Sequence, residues 1–195
     1  TEITIPDSVT SIGDSAFSCC KNLTKITIPD SVTSIGAEVF SFCSSLTEIA
    51  IPDSVTSIGE FAFYDCRGLT SFTIGNGVTS IGSSAFSYCT SLTNINIPDS
   101  VTEIGYDAFR GCTSLKSFKG KFATADGRCL IKDAELIAFA PADLTSYTIP
   151  YGVTKIGYVA FACCTSLTNI TIPDSVTQIG GEAFAYCTSL TSINI

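Results

Sequence analysis

The sequence predicts an α/β repeat solenoid, a fold in which copies of one short unit stack into a rod. A motif recurs every 23 residues, and apolar side chains hold the same place in every copy. A unit of this length cannot bury those side chains alone, but stacked copies bury them against one another. The motif, written Ile-Pro-Asp-Ser-Val-Thr-Ser-Ile-Gly in its second copy, begins at Ile5, Ile28, Ile51, Ile74, Ile97, Ile149 and Ile172.

Each element of the unit follows from its residues. Leu23–Ile28 ends in alternating apolar and polar residues and predicts a strand, which a Pro-Asp turn closes. Val32–Ile35 is rich in β-branched residues and predicts a second extended piece. Gly36 is expected to permit a corner with positive φ. The segment 37–40 is too short for a stable α-helix, so a single helical turn is expected there.

One rung breaks the period. From Ile97 to Ile149 is 52 residues, which is two units of 23 residues and six more. A single domain, 1–195, therefore divides into regular repeats at 1–119, an irregular rung at 120–148 and regular repeats at 149–195.

Composition excludes several classes of function. Only 14% of the residues are charged, 45% are hydrophobic, the net charge is −8, and histidine is absent. The apolar content excludes a disordered chain, and no stretch approaches the roughly 18 apolar residues of a membrane span. Without histidine or a carboxylate pair set apart from the repeat, we expect no enzyme, no cofactor and no metal site. The acidic balance argues against a nucleic-acid partner.

Seven of the ten cysteines occupy one column of the repeat. Because free cysteine packs as a small apolar residue, the column predicts a buried ladder of thiols. Disulfides remain an alternative, since neighbouring rungs lie within bridging distance. The column consists of Cys20, Cys43, Cys66, Cys89, Cys112, Cys164 and Cys187.

The pattern Leu-Thr-x-Ile-x-Ile-Pro-Asp-Ser-Val-Thr-x-Ile-Gly-x-x-Ala-Phe-x-x-Cys resembles the BspA-like, or Treponema-type, leucine-rich repeat, and the resemblance covers nearly all of the chain. It implies a right-handed coil with a parallel β-sheet on the concave face. It also implies an extracellular or cell-surface protein that adheres to host proteins or to other cells. The irregular rung resembles the interruption that recurs in this family, and a hairpin is expected in it.

The outward residues of the first strand are candidate binding residues. The isoleucine columns face inward, so their neighbours face outward on the sheet that such repeats commonly use for binding. These side chains are small, polar and without aromatic anchors, and ordinary solvated surface remains the alternative interpretation. The candidates are Lys25, Thr27, Glu48, Ser71, Thr73, Asn94, Asn96, Ser117, Lys119, Asn169 and Thr171.

Basic residues are concentrated near the irregular rung. Between 110 and 132, six basic residues oppose one acidic residue, a net charge of +5, whereas the remainder has four basic against 17 acidic residues, a net charge of −13. We interpret this basic island as a docking point for an acidic protein or glycan, with charges that keep a loop solvated as the alternative. Its members are Arg110, Lys116, Lys119, Lys121, Arg128 and Lys132.

The sequence thus predicts a binding or adhesion module that recognises proteins, such as host matrix proteins, without inserting into a membrane. A structural spacer that presents another domain is the first alternative, and a glycan-binding module is the weaker one. Thr1–Ile5 and Thr191–Ile195 align with the strand segment Thr24–Ile28. The chain is therefore expected to be a fragment with uncapped terminal rungs, either monomeric or associated end to end.

Overall fold

The computed structural model describes residues 1–195 as a β-solenoid of stacked coils with parallel strands and no helix. The rungs of 23 residues are confirmed, because the strand registers pair Glu2 with Lys25 and Asn94 with Ser117. The strands are β1 (Glu2–Thr4), β2 (Lys25–Thr27), β3 (Glu48–Ala50), β4 (Ser57–Ile58), β5 (Ser71–Thr73), β6 (Ser80–Ile81), β7 (Asn94–Ile97), β8 (Glu103–Ile104), β9 (Ser117–Gly120), β10 (Cys129–Lys132), β11 (Glu135–Phe139), β12 (Ser146–Thr148), β13 (Lys155–Ile156), β14 (Asn169–Thr171), β15 (Gln178–Ile179) and β16 (Ser192–Asn194).

The strands form two columns, one for each extended piece of the repeat. The first column comprises the sheets β1-β2-β3-β5, β7-β9 and β12-β14-β16. The second column comprises the sheets β4-β6-β8 and β10-β11-β13-β15. Both columns are interrupted at the irregular rung, 120–148, where β9 does not pair with β12 and β8 does not pair with β10.

The expected helical turn is wrong, and the α/β class is wrong with it. In the third copy of this segment, the N–H of Phe61 donates to Ser83 O of the next rung at 2.9 Å, whereas the N–H of Ala62 donates to Gly59 O of its own rung at 3.3 Å. The alternation continues along the segment, and Phe61 has a φ of 54°, as the third residue of a type II turn requires. A helix would be about 10 Å wide, against a rung spacing of about 4.8 Å. The segment instead forms consecutive turns, in which alternate N–H groups donate to carbonyls of the next rung.

The corner glycine serves close approach, and the expectation of a positive φ there is wrong. Gly36 and Gly59 do not have positive φ, which occurs two residues later at Glu38 and Phe61. A Cβ atom on Gly59 would overlap the backbone of Gly36 in the preceding rung. Glycine at this corner therefore sets the distance between rungs.

Stacked columns of identical side chains build the core. The ring centroid of Phe63 lies 5.2 Å from that of Phe40 and 5.4 Å from that of Phe86, and the three rings are fully buried. Together with the Leu, Val, Ile and Cys columns they form a continuous core of 38 buried residues. The low charge of the sequence follows from these inward columns.

The column cysteines form the predicted ladder, and all ten cysteines are free thiols. The Sγ–H of Cys66 donates to Phe40 O at 3.0 Å, and Cys89 and Cys112 make the same bond to the rungs before them. Burial raises the pKa of Cys43 to about 11 and that of Cys112 to about 12, so both remain thiols at neutral pH. Cys66, Cys89 and Cys112 thus act as buried donors that each link two rungs.

A hairpin lies within the irregular rung. Strands β10 and β11 pair antiparallel, and the turn residues Asp133 and Ala134 have φ of 51° and 61°, as in a type I′ turn. The hairpin packs on two cores: Leu130 and Ala138 belong to the core of 38 residues, whereas Leu136 belongs to a second core of 13 residues. It therefore separates the core into two parts.

The turn segments on either side of the irregular rung meet at a seam that lacks the backbone ladder. The N–H groups of Asp107 and Phe109 form no hydrogen bond to the following rung, although the same positions do so in earlier rungs. A small cavity of about 20 Å³, lined by residues of both segments, lies at the seam. The N–H groups of Asp107 and Phe109 therefore lack the partner that a following regular rung would supply.

Side chains bridge the seam instead. Arg110 Nη1 lies 3.6 Å from Asp107 Oδ2 and 3.7 Å from Glu182 Oε2, and its guanidinium carbon lies 5.6 Å from the ring centroid of Tyr186. Burial raises the pKa of Asp107 above its ordinary value despite the arginine beside it. Asp107 Oδ1 and Arg110 Nε are buried without a hydrogen-bond partner. The seam is thus held by a partly desolvated charge network.

Candidate functional site

The first strand column presents a polar surface, which we call the strand face. In β2, β3 and β5 the middle residue is buried and its two neighbours are exposed. The eleven candidate residues lie on β2, β3, β5, β7, β9 and β14; eight are exposed, and Ser117, Asn169 and Thr171 are half-buried. The structure therefore places all of them on one strand column, divided at the irregular rung.

Hydroxyl and amide groups dominate the strand face. Ser117 Oγ donates to Asn94 Oδ1 at 2.7 Å, and Lys25 Nζ pairs with Glu48 Oε1 at 3.1 Å. Lys119 makes neither an ion pair nor a hydrogen bond, so its charge is available to a ligand. Such a surface offers many weak donors and acceptors without a deep anchor pocket.

The loop between β9 and β10 divides the strand face. Gly127 O accepts the N–H of Phe118 at 2.7 Å, so the loop covers the edge of β9. Asp126 Oδ2 accepts the hydroxyl of Tyr147 at 3.0 Å, which ties the loop to β12. A shallow cavity of about 360 Å³ opens beside this loop, lined by residues that include Lys119 and Thr124.

Most of the six basic residues have structural contacts. Lys116 Nζ pairs with Asp143 Oδ2 at 2.9 Å, and Arg110 lies in the seam. The other three cap backbone carbonyls: Lys121 Nζ donates to Asp99 O at 2.9 Å, Arg128 Nη1 to Ala142 O at 2.8 Å, and Lys132 Nζ to Thr102 O at 2.9 Å. The basic island is thus distributed over several surfaces, with Lys119 alone on the strand face.

The 23-residue repeat explains why Lys132 is needed at the carbonyl of Thr102. In the regular rungs this carbonyl accepts the threonine N–H of the next rung, as when Thr102 N–H donates to Thr79 O at 2.8 Å. No threonine follows Thr102 in register, and the ammonium of Lys132 takes that place. Lys132, one of the six residues of the basic island, therefore supplies a hydrogen bond that the irregular rung would otherwise leave unmade.

Sequence reasoning missed a groove on the second strand column. It has a volume of about 740 Å³ and runs from the glycine corners beside β4, β6 and β8 to the tip of the hairpin. Its walls include Glu60, Glu103, Asp133, Tyr106 and Tyr158. The two tyrosines were a usable signal, because both follow the corner glycine on the rungs that flank the irregular one.

No helix in the structure could cross a membrane. A family model described as the BspA type leucine rich repeat region matches the chain in six copies, over residues 1–119 and 133–195. Among curated proteins, none matches the chain significantly.

Several solved structures are similar over the whole chain. A leucine-rich cell-surface protein from Faecalibacterium prausnitzii is 33% identical, with a TM-score of 0.79 over 100% of this chain and 60% of that one. The pneumococcal vaccine antigen PcpA is 28% identical, with a TM-score of 0.90 over 100% of this chain and 50% of that one. A leucine-rich-repeat protein of T. pallidum is 25% identical, with a TM-score of 0.66 over 97% of this chain and 78% of that one.

Proposed function

Because the chain belongs to the BspA-type leucine-rich-repeat family, we propose that it is an extracellular or cell-surface binding module that recognises a partner protein through its strand face. Proteins of this family are typically surface proteins with binding roles. The relatives include one described as a cell-surface protein and one described as a vaccine antigen. The chain spans 60% and 50% of the lengths of these two relatives.

The division of the strand face at the irregular rung carries this proposal. The unpaired ammonium of Lys119 stands at the division, beside the cavity of about 360 Å³ and the carboxylate of Asp126. A partner that lies along the strands makes many weak polar contacts, and this break supplies the one point with a distinct shape and charge. Affinity then comes from summed contacts, and specificity comes from the loop beside Lys119.

Binding of the purified chain to extracellular-matrix proteins, measured by biolayer interferometry, tests the proposal. Asn94→Arg with Asn96→Arg places bulk on two outward positions of β7, and at least a roughly tenfold loss of affinity is expected. Thr113→Arg with Thr165→Arg is the matched control, since both threonines are exposed away from the strand face.

Lys119→Glu is expected to weaken binding and to reduce its salt dependence if the partner is acidic. If the control pair lowers the affinity as much as the strand-face pair, or if neither strand-face variant lowers it, the strand face is not the binding surface. If the chain binds no extracellular protein while a longer protein that contains it does, the chain acts as a spacer.

A further inference from the structure

The groove on the second strand column shares no residue with the strand face and is the strongest unassigned feature of the molecule. It runs along β8, the last strand of the sheet β4-β6-β8, so one edge of β8 is not paired with another strand. An unpaired edge exposes backbone N–H and C=O groups that a further strand can bond.

The period shows which backbone group lacks its partner. In each regular rung the corner glycine N–H donates to the isoleucine carbonyl of the preceding rung, as from Gly105 to Ile81 O at 2.8 Å. Beyond the hairpin, Gly157 donates to Leu136 O at 2.8 Å. No N–H reaches Ile104 O, because the hairpin replaces the rung that would have supplied it. The open position lies in the groove.

The walls of the groove carry unpaired negative charge. Glu60, Glu103 and Asp133 form no ion pair, and Glu135 pairs with Lys155 at 3.0 Å. Lys132 also lies in the lining, with its ammonium bonded to Thr102 O, so one positive charge stands against three unpaired carboxylates. The groove therefore favours a cationic occupant.

Two tyrosines add a second reason for a cation. Tyr106 and Tyr158 meet edge to face with ring centroids 6.2 Å apart, and Tyr106 is 71% exposed. Exposed aromatic rings attract ammonium and guanidinium groups. Aromatic side chains are also the usual anchors of protein interfaces, and the strand face has none.

We propose that this groove binds an extended segment of a partner protein that carries lysine or arginine side chains, added as a strand along the free edge of β8. The segment's backbone bonds Ile104, its basic side chains lie against Glu103, Asp133 and Glu60, and the tyrosine pair receives one of them. The cavity of about 740 Å³ is within the size range of small-molecule sites in proteins, which gives room for one or two side chains of the segment.

Fluorescence anisotropy with a short peptide of alternating lysine and threonine tests the charge, and a peptide of alternating glutamate and threonine is the control probe. The basic peptide is expected to bind and the acidic one is not. Glu103→Gln with Asp133→Asn is expected to weaken the basic peptide roughly tenfold. Asparagine tolerates the positive φ of residue 133, so the hairpin turn is retained.

Asp30→Asn with Asp174→Asn is the matched control, because it removes two exposed carboxylates at regular turns and leaves the groove unchanged. Equal weakening by the two pairs would mean attraction to net charge alone and would overturn the proposal, as would no binding of the basic peptide.

N-methylation of the peptide tests strand addition. Methyl groups on one set of alternate amides should abolish binding, and methyl groups on the other set should leave it unchanged, since only one edge of an added strand faces β8. Equal binding of both methylated peptides would overturn strand addition. The strand-face pair Asn94→Arg with Asn96→Arg should leave peptide binding unchanged, so failure of the groove and failure of the proposed function are distinguishable.

Discussion

The regular rungs and the irregular rung satisfy the same backbone groups by different means. In the rungs before residue 119, carbonyls accept N–H, hydroxyl or thiol donors from neighbouring rungs, because the repeat places those donors in register. Around the irregular rung, the side chain of Lys132 takes the place of such a donor at Thr102 O, and those of Lys121 and Arg128 donate to the carbonyls of Asp99 and Ala142. A long cationic side chain can therefore replace the missing neighbour at an interruption of the repeat.

The two regions also differ in how they bury apolar side chains. Periodic stacking yields the core of 38 residues, whereas the hairpin leaves a core of 13 residues behind it. The hairpin contacts both cores, but the turn segments on either side of it meet at the seam without a backbone ladder. This difference predicts that the two cores lose structure separately.

The largest expected effects come from the phenylalanine column. Phe63→Ala and Phe161→Ala each delete a fully buried ring, one from each core, and each is expected to lower the free energy of unfolding by about 3–5 kcal/mol. Hydrogen exchange should show protection lost before the hairpin in the first variant and after it in the second.

A conservative pair controls for the deletion itself. Phe63→Leu and Phe161→Leu keep most of the apolar volume and should retain the wild-type exchange pattern, with smaller losses of stability. Uniform loss of protection over the whole chain in both alanine variants would contradict two separate cores.

The seam is expected to show the next largest effect. Arg110→Met leaves the Asp107 carboxylate without its cation, and the free energy of unfolding should fall by about 2–3 kcal/mol. The double variant with Asp107→Asn should recover part of this loss, because no buried charge remains unpaired. Chemical denaturation of both variants measures the difference, and a double variant no more stable than the single one would contradict a charge-based seam.

How much of this the sequence predicts depends on periodicity. The thiol ladder could be predicted because Cys66 has the same buried environment and the same bond to the preceding rung as Cys89 and Cys112. The turn segment could not, since four residues such as 37–40 do not show that alternate N–H groups bond the next rung. The contact of Lys132 with Thr102 O was also inaccessible, because it joins residues that no period relates.

Replacing a buried thiol is expected to have a smaller effect on stability, and one that differs between the regular rungs and the irregular rung. Cys66→Ala removes a donor to the fixed carbonyl of Phe40, and a loss of about 1–2 kcal/mol is expected. Cys129 in the irregular rung is as buried, but its Sγ donates to the Tyr147 hydroxyl over a longer distance, 3.3 Å, so Cys129→Ala should cost less. Urea denaturation of both variants checks the order.

Alkaline pH should act through the same ladder. Burial raises the folded pKa of Cys112 to about 12 from an ordinary value of 9.0. A raised pKa means that the thiol's contribution to stability is complete below pH 9 and is lost as the pH rises towards 12. The wild-type protein should lose stability in that range, and Cys112→Ala should lose less. If both proteins lose the same stability, ionisation of Cys112 is not the cause of the alkaline sensitivity.

The smallest expected effect lies in the loop that divides the strand face. Asp126 accepts the Thr124 hydroxyl, the Arg128 N–H at 2.9 Å and the Tyr147 hydroxyl at 3.0 Å. Burial alone would raise its pKa, but these hydrogen bonds outweigh burial and hold the pKa below its ordinary value of 3.8. Its carboxylate therefore stabilises the fold above that pH and loses this contribution as the pH falls through the lowered folded pKa.

Asp126→Asn should cost about 1 kcal/mol at neutral pH and less at acid pH, where the wild-type carboxyl is also neutral. Asp30→Asn, at a regular turn without side-chain bonds to its carboxylate, is the control and should change stability little at either pH. Denaturation at pH 7 and at about pH 2, well below the ordinary carboxyl pKa, compares them. If the difference between wild type and Asp126→Asn does not shrink on acidification, the hydrogen bonds of this carboxylate do not hold the loop against β12, and the division of the strand face needs another cause.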